Sequence, residues 1–71
     1  MKRRDLVRKI AAAAKHQGVL WRLDREGANH SVFVLDEVTI PIPRHRELGE
    51  SLAVDIFKEC QDVLGKGWWR T

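Results

Sequence analysis

The run Gly27-Ala28-Asn29-His30-Ser31-Val32-Phe33-Val34-Leu35-Asp36-Glu37-Val38-Thr39-Ile40-Pro41-Ile42-Pro43 decides the fold. Two β-branched, apolar segments, His30 to Leu35 and Val38 to Ile42, are separated only by Asp36-Glu37, which predicts two strands joined by a tight turn. On the later strand Val38, Ile40 and Ile42 share one face. Pro41 and Pro43 bring no amide donors, so this is an edge strand or its fraying end. Ahead of the pair, Glu26-Gly27-Ala28-Asn29 reads as a turn. Val19 to Arg25 reads as a further strand, β-prone and partly alternating.

Helices flank the strands. Over Arg4 to His16, Leu6, Ile10 and Ala14 fall four apart on one face, and the alanine run has high helix propensity. Gly18 is a left-handed stop just beyond. Glu47 to Leu64 predicts a second helix whose stripe is Leu48, Leu52, Ile56 and Cys60, widened by Ala53, Phe57, Val63 and Leu64. The order is α-β-β-β-α. The simplest packing of two amphipathic helices on three antiparallel strands is an α+β layer with both helices on one face. Residues 1–65 form the expected domain and residues 66–71 a tail. Its Trp68 and Trp69 either pack back over the sheet, contact a partner or stack on bases.

Length and composition narrow the function. The chain has 71 residues and a net charge of +3, too short for a nucleotide-binding α/β domain or a barrel. So small a chain buries only about 60% of its unfolded surface, which makes a stabilising partner valuable. Cys60 is the single cysteine, so no internal disulfide forms and a reducing, cytoplasmic setting is expected. No apolar run approaches the roughly 20 residues of a membrane span.

The charge is divided. Between Met1 and Arg22 lie seven basic residues (Lys2, Arg3, Arg4, Arg8, Lys9, Lys15, Arg22) and one acidic, Asp5. Between Glu47 and Asp62 lie five acidic residues and one basic, Lys58. The basic half is either a solvated helix face or a surface for phosphate backbones.

Three histidines and one cysteine show no paired metal-ligand spacing, so neither metal nor cofactor is expected. No phosphate-binding glycine loop or serine elbow is present. His30 opens a strand beside a Gly-Ala-Asn turn, at a sheet end. RNA carries its own nucleophile, the 2′-hydroxyl, so one histidine and a few cations are a sufficient minimum for its cleavage. The other reading of His30 is a plain turn or edge residue. Arg44, His45 and Arg46 follow two stiffening prolines and precede the second helix, where they form either a phosphate cradle or an ordinary loop.

Three segments resemble HicA-type toxins, the small ribonucleases of bacterial toxin–antitoxin pairs. They are Lys2 to Ile10, the Gly27-Ala28-Asn29-His30-Ser31-Val32-Phe33 turn and strand, and Ile40-Pro41-Ile42-Pro43-Arg44-His45-Arg46-Glu47-Leu48. The resemblance spans residues 2 to 64, and the order and spacing of the segments carry it. It implies a fold like the double-stranded-RNA-binding domain and metal-independent mRNA cleavage by His30, with Gly27 and Asn29 in the active-site turn. It also implies a HicB-type antitoxin that covers the active face. Lys2, Arg3, Arg4, Arg44, His45 and Arg46 are the expected RNA contacts. The chain departs from the pattern where Val19, not an aromatic residue, follows Gly18, and in its Gly-Trp-Trp-Arg tail. The alternative function is a non-catalytic RNA-binding module using the same basic surface. A third reading is a protein-interaction domain that docks through its acidic second helix or its third-strand edge.

Overall fold

The computed structural model describes residues 1–70; Thr71, the last residue of the expected tail, lies outside the described residues. Helix α1 spans Arg3–Gln17 and buries Leu6, Ile10 and Ala14. Gly18 ends it at φ 71°, with the Gly18 amide donating to Lys15 and the Val19 amide to Ala14. That pair of reversed bonds satisfies two carbonyls of the last turn, and it needs the left-handed conformation that glycine adopts without strain. Strands β1 (Trp21–Glu26), β2 (His30–Leu35) and β3 (Val38–Pro43) follow in sheet order β1-β2-β3, all antiparallel. The architecture is the expected α+β layer in the order α-β-β-β-α.

Alternation along β2 sorts the sheet into two faces. Ser31, Phe33 and Leu35 point one way, together with Ile42, Ile40 and Val38 opposite them. Leu35, Ile40 and Ile42 join Leu6, Ile10 and Ala14 of α1 in one core, with Ile56 and Phe57 from a second helix. Both helices therefore cover this face. His30, Val32 and Val34 point to the opposite face, away from the helices, where Val32 is buried and His30 is exposed.

The prolines of β3 fit its edge position. The Arg44 amide donates to the Asn29 carbonyl, and bonded pairs alternate along an antiparallel ladder. Pro41 and Pro43, opposite Val32 and His30, therefore fall where an amide would point away from β2. No bond within the sheet is lost. The outer edge instead lacks donors at both positions, which blunts it against strand addition. Arg3 completes the closure, because its Nε donates to the Pro43 carbonyl at 2.9 Å.

The second helix departs from the expectation of Glu47 to Leu64. Helix α2 covers only Glu50–Glu59, and a separate turn, α3, covers Gln61–Leu64. Tertiary pairing removes the first residues: Leu48 donates to the Met1 carbonyl at 2.8 Å, and Lys2 bridges Glu47. Backbone paired with the start of the chain cannot also wind into a helix. The break comes at Cys60, whose amide reaches back only three residues, to Phe57. Of the expected stripe, Leu48, Ala53, Ile56, Phe57, Cys60 and Leu64 are buried, whereas Leu52 is left at 39% exposure.

The tail packs back, though over α2 rather than the sheet. Trp68–Arg70 form a 3₁₀ turn, and the Trp68 indole donates to the Phe57 carbonyl at 2.9 Å. Trp68 meets the Phe57 ring edge-on at 5.2 Å, and Arg70 lies over Trp69. Trp68→Ala removes this apolar packing and the indole bond. It should destabilise the fold by about 2 kcal/mol and lower Tm by roughly 10 °C in a thermal melt.

Candidate active site

Gly27 holds the turn before β2 by close approach. Its amide donates to the His30 carbonyl at 2.8 Å, and a Cβ on Gly27 would stand 3.1 Å from that same oxygen. A methyl group there crowds the carbonyl of the candidate catalytic residue. The clasp fixes the backbone at which His30 begins the strand, while the His30 side chain stays exposed on the uncovered face.

A polar chain of three hydrogen bonds ties this sheet end together on the helix-covered side. Arg3 donates to Ser31 Oγ at 2.8 Å, Ser31 donates to Glu26 Oε1 at 2.7 Å, and Arg44 donates to the same oxygen at 3.0 Å. Arg44 also donates to the Ala28 carbonyl at 2.6 Å. Ser31 is the one buried polar residue of the molecule's described part, and the chain satisfies both its donor and its acceptor. The Ser31 hydroxyl, above all, holds the Glu26 carboxyl below its ordinary range. Partial burial opposes this, and the Arg44 and Arg3 guanidinium groups reinforce it.

A β-bulge makes that chain possible. Leu23 pairs with Phe33, but Arg25 rather than Asp24 pairs with Val32. The inserted Asp24 reverses the alternation, which turns Glu26 toward Ser31 and brings Arg25 to the same face as Arg22, Val32 and His30. Asp24 clamps the bulge by accepting from Arg22 at 2.9 Å and from Arg25 at 3.4 Å. Arg22 and Arg25 are the cations that sequence reasoning missed. Simple alternation separates them, and nothing local announces the bulge.

The expected RNA contacts divide between two hollows. Ala28, Asn29, Arg44 and His45 line one of about 270 Å³, at the turn leading into His30. Lys2, Arg3, Arg4 and Arg46 line another of about 310 Å³, where the chain start lies beside the segment ahead of α2. Arg46 thus joins the N-terminal cations and not its neighbours Arg44 and His45. These residues do not lead directly into a helix, since α2 starts only at Glu50.

Cys60 offers no nucleophile, because burial and then the neighbouring Glu59 push its thiol up to about 12. Among the described residues no group of three or more His, Cys, Asp and Glu gathers as a metal site, and no helix is long and apolar enough to cross a membrane. No family model, curated protein or solved structure matches the chain.

Two variants test the turn. Gly27→Ala should cost about 1–2 kcal/mol in denaturant unfolding, as crowding of a packed site does, and should shift the amide resonances of residues 27–31. Glu26→Gln tests the polar chain through pH. A carboxyl whose folded pKa is lowered stabilises the fold above its unfolded pKa, and this is lost as pH falls through the folded value. The stability advantage of wild type over Glu26→Gln should therefore be full at neutral pH and shrink from roughly pH 4.5 downward.

Proposed function

We propose that this protein is a metal-independent endoribonuclease acting on single-stranded mRNA, the toxin of a toxin–antitoxin pair, with His30 as its acid/base catalyst. The observation that carries the reading is the exposed His30 imidazole at a strand start clasped by Gly27, with Asn29, Arg44 and His45 lining a hollow at the turn that precedes it. The resemblance of three segments to HicA-type toxins points the same way.

In this reading His30 removes the proton of a ribose 2′-hydroxyl. The 2′-oxygen forms a bond to the adjacent phosphorus, and the bond from phosphorus to the 5′-oxygen breaks. The leaving 5′-oxygen takes up a proton, and the products are a 2′,3′-cyclic phosphate and a 5′-hydroxyl. His30 serves as base for the first transfer or as acid for the second. Arg22 and Arg25, on the same face as His30, supply positive charge to the developing dianionic phosphorane, and Arg44, held by Glu26 and the Ala28 carbonyl, holds the strand at the adjoining turn. Asn29 and His45 offer hydrogen bonds to the phosphate oxygens. A HicB-type antitoxin as partner and a cytoplasmic setting belong to the same reading.

A second reading, a non-catalytic RNA-binding module, is favoured by the hollow of four cations that stands apart from His30. End-labelled single-stranded RNA separates the two: cleavage products support the ribonuclease, and a shifted but intact strand supports the module. Under the ribonuclease reading, His30→Ala keeps the wild-type circular dichroism spectrum and cleaves at least about a hundredfold more slowly. Cleavage by wild type persists in EDTA. Equal rates for wild type and His30→Ala, or complete inhibition by EDTA, would overturn the mechanism.

A further inference from the structure

The hollow of Lys2, Arg3, Arg4 and Arg46 holds four cations that the sequence spreads over two distant segments. The backbone brings them together. Met1 and Leu48 exchange hydrogen bonds of 2.9 and 2.8 Å, and Arg3 donates to the Arg46 carbonyl at 3.0 Å. This short antiparallel pairing sets Arg3 beside Arg46 and Lys2 beside Glu47.

The charges so gathered are poorly compensated. Glu47 faces the Met1 amino group at 3.5 Å, and Asp5 contacts Arg4 only at 3.6 Å with both side chains largely in water. Among the described residues neither Lys2 nor Arg46 forms an ion pair. Like charges held together in one concavity repel, and an anion entering it relieves that repulsion.

The hollow also has a fixed relation to the His30 end. Arg3 lines it and is tied through Ser31 and Glu26 to Arg44, which lines the other hollow. Three hydrogen bonds in series keep the two guanidinium groups within about 9 Å of each other. One strand can pass from one hollow to the other around the Pro43 end of β3, and nearby phosphates along it can occupy both.

We propose that the Lys2–Arg4–Arg46 hollow is a second phosphate subsite for single-stranded RNA, binding a backbone phosphate near the one beside His30 and taking no part in the chemistry. The inference rests on the RNA reading above and extends it to how the strand is held. Arg3 is committed to Pro43 and Ser31 and forms the wall. Lys2, Arg4 and Arg46 are left to meet the anion.

The test is fluorescence anisotropy with a fully 2′-deoxy-substituted, uncleavable single-stranded oligonucleotide of the substrate's sequence, titrated over a series of salt concentrations. The double variant Lys2→Gln/Arg46→Gln should bind at least about tenfold more weakly at low salt. Its slope of log affinity against log salt should be shallower by about 0.7 for each phosphate that the variant no longer neutralises. With short cleavable RNA spanning only the scissile bond, its kcat should match wild type, whereas longer RNA should show a raised KM. Unchanged affinity and slope in the double variant, with the wild-type melting temperature, would overturn the subsite. Loss of kcat on the short RNA would overturn the claim that it takes no part in chemistry. If wild type binds with the expected dependence on Lys2 and Arg46 but cleaves no RNA, the subsite stands and the ribonuclease reading fails.

Discussion

One carboxylate oxygen organises the functional end of this molecule. Glu26 Oε1 accepts from Ser31 and from Arg44, and Ser31 in turn accepts from Arg3. Those bonds join the end of β1, the start of β2, the chain beyond β3 and the first turn of α1. Under the proposed reading this end must gather cations that repel one another, and an anion within the fold makes that tolerable. Glu26 fills this role for Arg3 and Arg44, leaving their remaining donors and their charge near solvent. The arrangement requires a bulge at Asp24, which breaks the β1 ladder but turns Glu26 to the correct face. Removing the carboxylate would leave Ser31, a buried hydroxyl, short of an acceptor and Arg44 free to swing from the turn.

The two faces of that sheet end have different tasks. The helix-covered side carries the polar chain and, beyond it, the four-cation hollow. The uncovered side carries His30 with Arg22 and Arg25. A strand of RNA bound in both hollows would have to wrap around the end of β3. Pro41 and Pro43 deny their outer edge to a partner strand, and Arg3 occupies the Pro43 carbonyl. The same closure argues against the third-strand edge as the docking surface of an antitoxin.

Much of the fold is legible in the sequence because local preference and burial agree. The four-residue spacing of Leu6, Ile10 and Ala14 marks α1, Gly18 ends it, and the alternation from His30 to Ile42 marks two strands and their turn. What escapes is set by pairings distant in sequence. The segment 46–48 has helical composition but pairs with the start of the chain, and this moves the start of α2 to Glu50. The bulge at Asp24 has no glycine or proline to announce it, so Arg22 and Arg25 read as residues of opposite faces. Arg44, His45 and Arg46 read as one cradle, because sequence gives the charge of a residue and not the side of a sheet end on which it emerges. His30 itself is placed correctly at the strand start by the Gly-Ala-Asn turn. Gly27 is needed there for steric room at the His30 carbonyl, not for a left-handed conformation.

The central claim is that the RNA supplies its own nucleophile and this chain supplies an imidazole and cations around it. The most direct measurement is the chemistry of the ends left when a defined single-stranded RNA is incubated with the purified protein, read by mass spectrometry. The expected result is a 2′,3′-cyclic phosphate, or its hydrolysis product, on one fragment and a 5′-hydroxyl on the other. No cut is expected where the ribose at the scissile bond is replaced by 2′-deoxyribose. Fragments ending in 3′-hydroxyl and 5′-phosphate, or cleavage that ignores the 2′-deoxy substitution, would contradict the claim.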